Sequence, residues 1–216
     1  MALGDNYVES DDLKEYLGIK PNKISNEETL VTACSSASRE VERICNRQFN
    51  KADSATARLY QIENTHRRPN PFRGIVFHVD DFYDLAGLTV EFDPDGSGNF
   101  QTVDPIDYEV FPLNGVVDGT PGWPYNKVQI RNTWAMFPRW ARLRVTAKWG
   151  WESVPADVLA ATMILAADTY QQKDSPYGVM ADQYGVTLRP SGPSSGAGTQ
   201  ARLKLSRYAR NRIQVA

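Results

Sequence analysis

The residues best suited to chemistry lie in the run Asp93-Pro94-Asp95-Gly96-Ser97-Gly98-Asn99 and on to Asp104. Counted from Asp93, acids fall at positions 1, 3 and 12 and a glycine at position 6, the order in which an EF-hand loop presents its calcium ligands. The rest of that pattern is missing. Position 5 is Ser97, position 12 is an Asp rather than a bidentate Glu, and strands rather than helices are expected on both sides. A polar β-hairpin loop built from residues that tolerate positive φ is the favoured reading, with a weak cation site as its alternative.

His78 stands close to Asp80, Asp81 and Asp84, and a carboxylate–histidine pair can move protons. Acids at a strand end without matched partners read more simply as a solvated turn. Ser35 and Ser36 fall inside a helix without a nucleophile elbow, and no phosphate-binding glycine loop occurs. Trp123, Trp134, Trp140, Trp149 and Trp151 crowd one stretch. They fit an aromatic platform for sugars or bases, or, better, packing at a junction or interface, since no polar ligand-binding set accompanies them. His66 and His78 are the only histidines, Cys34 and Cys45 the only cysteines, and none has zinc-ligand spacing. The cysteines share a helix and lie roughly 16 Å apart along its axis, so they cannot pair, which points to a reducing compartment. No catalytic residue, metal or cofactor is assigned.

The elements that would position these groups divide by character. A short helix is expected over Ser10–Leu17, capped by Ser10 and stopped by Gly18. A second begins with a Ser25–Glu28 capping box and carries Leu30, Cys34, Ala37, Val41 and Ile44 along one seam. Strands follow over 57–63, 74–79, 86–92, 100–111, 127–131 and 141–149, the last alternating Leu143, Val145, Ala147 and Trp149 with polar residues. A third helix runs from Val154 to Lys173 with Pro155 in its first turn. It is apolar on nearly every side, so other elements or other copies must enclose it, and Val158, Ala161, Ile164 and Leu165 are its expected subunit-packing residues. Ser191–Thr199 has a flexible-linker composition, and a basic segment without acids closes the chain.

The fold class expected is therefore α+β: a helical bundle core of three main helices plus a C-terminal segment, with a large β-rich insertion. Residues 1–50 form the N-terminal part of the core, 51–150 the insertion, 151–190 the C-terminal part, and 191–216 a linker and docking tail. The 216 residues carry a net charge of −2, which gives no overall drive toward nucleic acid. No apolar run reaches membrane-spanning length, and the first residues lack the pattern of a secretion signal. A cytosolic protein, or one carried in a particle assembled there, is expected.

Several pieces in order carry a resemblance. Residues 13–19 read Leu-Lys-Glu-Tyr-Leu-Gly-Ile, and a long helix ends Val41-Glu42-Arg43-Ile44-Cys45-Asn46-Arg47-Gln48-Phe49. Trp149-Gly150-Trp151, Val154-Pro155-Ala156-Asp157-Val158, a helix ending at Tyr170, and Asp174-Ser175-Pro176 follow. Over residues 10–50 and 145–180 this resembles the head–tail connector (adaptor) proteins of tailed phages. The resemblance implies a virion neck component made in the host cytoplasm: a homo-oligomeric ring of about twelve copies, closed by a repeated contact. It implies a portal protein on one side and a tail-side stopper or connector on the other. DNA would pass through the channel without sequence recognition.

On that reading Arg202, Lys204, Arg207, Arg210 and Arg212 would meet an acidic rim of the portal, while Leu203, Leu205, Tyr208 and Ile213 anchor in apolar pockets. A frayed terminus and direct contact with DNA phosphates remain open for the same residues. The competing function is a glycan- or nucleic-acid-binding module using the Trp-rich β-lobe, and a hydrolase is a weaker third.

Overall fold

A computed structural model describes residues 3–20, 26–61, 74–131, 140–173, 179–182, 185–188 and 196–210. The protein is α+β, and its chain divides into two compact units. Leu3–Phe49 and Val154–Arg212 make a helical unit, and Asn50–Ser153 makes a β unit inserted within it.

In the helical unit, α1 covers Ser10–Tyr16, α2 Glu27–Cys45, α3 Ala156–Gln171 and α4 Gly196–Leu205. The seam of α2 is apolar at i, i+3 and i+4 because one face has to meet other helices. Leu30, Ala33, Cys34, Ala37, Val41 and Cys45 are buried along it. Val8 and Leu13 join that core from the N-terminal side, Ala166 and Ala167 from α3. Small residues on α3 let the helices approach closely, and α3 packs on both α2 and α4.

Three helix ends differ from expectation. Glu9, not Ser10, caps α1: its backbone N–H donates to Asp12 Oδ2 at 3.3 Å, while Ser10 Oγ donates to Glu27 Oε1 at 2.6 Å. Pro155 is the cap of α3 rather than a residue of its first turn. Asn26, in the left-handed region at φ 83°, precedes α2, and Ser25 lies outside the described residues. The larger difference is α4. Gly196–Thr199, expected as linker, is its first turn, and Gly198, Ala201, Leu205 and the following Tyr208 are buried at spacings of 3, 4 and 3. Glycine and alanine read as flexible in isolation, yet on a packed helix they permit close contact.

The β unit is an antiparallel sheet in the order β1-β6-β2-β5-β4, with the short β3 paired to β2. β1 is Thr56–Gln61, β2 Ile75–Asp93, β3 Gln101–Thr102, β4 Tyr108–Phe111, β5 Tyr125–Ile130 and β6 Arg142–Trp149. β6 alternates as expected, with Leu143, Val145, Ala147 and Trp149 buried. Two expected strands, 74–79 and 86–92, are one 19-residue strand. Its first half pairs with β5 and its second with β6, and Phe82 pairs with both Tyr125 and Trp149. Register shifts at this crossing move the buried positions from Phe77 and Val79 to Phe82, Val90 and Phe92, as bulges do. The expected strand 100–111 is instead broken by a single turn at Pro105–Asp107. A separate hairpin joins β7, Val179–Asp182, to β8, Gly185–Leu188.

Candidate functional site

The Asp93–Asp104 loop uses its carboxylates on its own backbone. Asp93 is fully buried, its Oδ1 accepting from Gly96 N–H and its Oδ2 from Gly98 N–H, each at 2.9 Å. Asp95 accepts from Ser97 N–H at 3.0 Å and Asp104 from Ile106 N–H at 3.0 Å. Such turns explain the acid–glycine spacing without a metal. Gly96, at φ 73°, has Trp140 so close that an added Cβ would sit 2.8 Å from its indole and its carbonyl. Among the described residues no group of three or more His, Cys, Asp or Glu could hold a metal ion.

Asp80, Asp81 and Asp84 are neither a solvated turn nor an acid–base site; they lie inside β2 and serve the sheet. Asp80 pairs with Arg58 at 2.8 Å and accepts from the Tyr60 hydroxyl at 3.1 Å. Asp81 is buried and accepts from Trp151 Nε1 at 3.2 Å. Asp84 meets Lys148 Nζ at 2.8 Å. These partners, brought by β1, β6 and the residues after β6, explain why the strand runs through an acidic stretch that looks like a break. His78 is exposed on β2.

Trp123, Trp149 and Trp151 pack within the β unit. Trp149 is buried, its Nε1 donating to Thr56 O at 2.8 Å, with Phe82 edge-on at 6.0 Å and the Arg58 guanidinium 4.5 Å from the ring centre. Trp151 is buried with its ring 5.2 Å from that of Trp123. Trp140 is exposed beside the 93–99 loop, and Trp134 lies outside the described residues. No aromatic platform is left by Trp149 and Trp151. Ser35 is half-buried and Ser36 exposed on α2, and Cys34 and Cys45 are buried, burial pushing the Cys45 thiol up to about 12. At that value it is no nucleophile at neutral pH.

What remains are surfaces of the helical unit. Of the residues expected to pack against another subunit, Val158 and Ala161 are fully enclosed by their own unit, whereas Ile164 and Leu165 are half-buried. α3 is covered by α2 and by α4, whose helical state the composition concealed. Leu165 lines a groove of about 610 Å³ with Ala37 and Ile44 of α2 and Gly198 of α4, edged by Arg43 and Arg202.

Of the expected docking residues, Leu205 and Tyr208 are buried at home. Tyr208 stands edge-on to Phe49 at 5.9 Å, and burial, then the nearby Asp157 carboxylate, hold its phenol above the usual range. Arg210 N–H donates to Cys45 O at 2.9 Å. Arg202, Leu203, Lys204 and Arg207 are exposed, Leu203 to 70%. Arg212 and Ile213 lie outside the described residues. The sequence missed that the tail has an inner and an outer face; the 3, 4, 3 spacing of Gly198, Ala201, Leu205 and Tyr208 was the available signal.

At the other end of α2 the surface is acidic. Glu9, Asp11, Asp12 and Glu15 are all exposed, with Tyr16 58% and Val31 47% exposed beside them in the chain and on the second turn of α2. Lys14 is half-buried between Asp11 and Glu27.

No family model matches the chain, and neither does any curated protein. Solved structures do. One is a chain described as "Neck of empty GTA particle computed with C6 symmetry", 12% identical, with a TM-score of 0.53 over 97% of this chain and 93% of that one. Another is from "Virion of native gene transfer agent (GTA) particle", also 12% identical with a TM-score of 0.53, over 100% of this chain and 95% of that one. At this identity the likeness is one of fold, and it spans both units.

Proposed function

We propose that this protein is a structural component of the neck of a phage-like particle: a ring-forming adaptor that joins the portal to a tail-side stopper or connector and lines the DNA channel. One observation carries the reading. The fold is shared across nearly the whole chain, insertion included, with a chain from a neck structure computed with C6 symmetry. The adaptor-like pieces at residues 13–19, 41–49 and 149–158 support it independently, since they lie where the helical unit begins, where its first half ends, and where the chain returns to it.

On this reading the protein works by packing and docking, without turnover. The helical unit builds the ring, which we take to hold about twelve copies, a number that a sixfold axis accommodates. The β unit is the enlarged insertion. Portal attachment falls to the end of the chain from Arg210 through Arg212 and Ile213, because Leu205 and Tyr208 are occupied at home. A net charge of −2 suits a channel wall over which DNA slides, since a strongly basic lumen would retain it. No helix among the described residues is long and apolar enough to cross a membrane.

The test is mass measurement and negative-stain imaging of the full chain alone and with a portal protein from the same particle. Rings, or a ring assembled only on the portal, are expected. A compact monomer indifferent to the portal refutes the reading.

A further inference from the structure

We infer that the outer face of α4 docks on α1 of a second copy of this chain, so that the ring is closed by a contact between two different surfaces, one near each end of the helical unit. The inference rests on the ring reading above and names the surfaces that reading leaves unassigned.

The two faces are complementary in charge and in apolar content. On α4 and the turn after it, Arg202, Lys204 and Arg207 are exposed around Leu203, and Gly196–Arg210 contains no acid. Because Gly198, Ala201, Leu205 and Tyr208 face inward, Leu203 sits near the middle of the outward arc. Seventy per cent exposure of a leucine ringed by cations is an apolar centre with a charged rim, the layout of an interface. On the first copy's neighbour, Asp11 and Glu15 are exposed one helical turn apart on α1, flanked by Glu9 and Asp12, with Tyr16 exposed at the helix end. Lys14 is paired with Asp11 and Glu27 and offsets part of this charge, so the net negative charge of the face comes from Glu9, Asp12 and Glu15.

Within one copy α4 packs on α3 and α2 rather than on α1. α1 is tied to the start of α2 through Ser10–Glu27 and Lys14–Glu27. The end of the α4 segment is tied to the finish of α2 through Arg210–Cys45 and Tyr208–Phe49. Those anchor points are about 27 Å apart along α2 at 1.5 Å per residue. A contact between two unlike patches is heterologous, and repeated by rotation it closes a ring. Individual exposed ion pairs stabilise little, so their contribution is orientation and encounter rate, with Leu203 and Tyr16 supplying the burial.

The test uses full-length chain, half of it labelled with nitrogen-15, treated with a zero-length carbodiimide that joins an amine to a touching carboxylate. Mixed-isotope peptides linking Lys204 to Asp11 or Glu15 are expected, and their loss is expected in R202E/R207E. Sedimentation should show weakened self-association of R202E/R207E, and its recovery when these copies are mixed with D11R/E15R copies. Circular dichroism establishes that both variants fold. Absence of a Lys204–α1 link between copies, or undiminished linking and association in R202E/R207E, overturns the inference. Imaging separates the two levels: rings without the link keep the ring and refute the pairing, whereas linked dimers or open chains keep the pairing and refute the ring.

Discussion

Tyr7 and Phe49 meet twice. Their rings stand edge to face with centroids 5.9 Å apart and planes at 78°, and Phe49 N–H donates to the Tyr7 hydroxyl at 3.0 Å. The same hydroxyl donates to Glu42 Oε1 at 2.8 Å, and Tyr7 N–H donates to Ser38 Oγ at 3.1 Å. The N-terminal segment is thereby locked along the second half of α2. Tyr7→Phe keeps the ring contact and orphans the buried Phe49 N–H, so it should destabilise the protein by about 1–3 kcal/mol in denaturant titration. An unchanged midpoint would mean that the hydroxyl network is not what holds the segment.

Asp93→Ala should destabilise the β unit by about 2–4 kcal/mol, since two hydrogen bonds to a buried carboxylate are lost. Neither calcium nor a chelator should move the melting temperature of the wild type, because a ligand bound only by the native state would raise it. A calcium-dependent rise that disappears in Asp93→Ala would restore the cation-site reading.

Gly150→Ala should be among the most damaging single changes. Gly150 adopts φ 99°, and a Cβ there would lie 1.7 Å from Asn50 O. Left-handed strain alone costs about 1–3 kcal/mol, and the backbone clash adds to it. Thermal melts of the variant should fall well below those of Gly87→Ala, whose position is also left-handed but has nothing within 4 Å.

Acid should weaken the sheet through two of its cross-strand ion pairs. Lys148, then the Ala86 N–H, holds the Asp84 carboxyl below its ordinary value, and Arg144 does the same for Glu91. Carboxyls depressed on folding add stability that is complete above their unfolded pKa, about 4, and that is lost as pH falls through the lower folded values. Glu91→Gln should therefore lower stability modestly at pH 7 and flatten the acid limb of the stability profile. A limb as steep as that of the wild type would place the titration elsewhere.

Much of the fold was legible where one periodicity dominated. The α2 seam and the alternation of β6 each bury one face, and the pattern states which. The sequence misled where partners came from elsewhere in the chain. Asp80, Asp81 and Asp84 look like a break until Arg58, Trp151 and Lys148 are brought to them. Gly196–Thr199 looks like a linker until α3 supplies a surface against which small residues pack. The acidic loop at 93–104 shows the reverse: its spacing was real, but turn chemistry rather than ligation accounts for it. The basic tail was visible as composition, while its two faces needed the helix.

At the base of the insertion, Trp151 N–H donates to Asn50 O at 3.3 Å and Ala52 N–H to Trp149 O at 2.7 Å. The 104 residues from Asn50 to Ser153 thus leave and return through one doorway. This sets an order of events during synthesis. The β unit is complete as soon as its own residues have emerged, whereas α1 and α2 must wait for α3. At about 5–20 residues per second that wait lasts on the order of 5–20 s, with the α2 seam uncovered throughout. A nascent helix carrying Leu30, Cys34, Ala37 and Val41 on one side is what a chaperone holds, or what the same helix on a neighbouring polysome finds first.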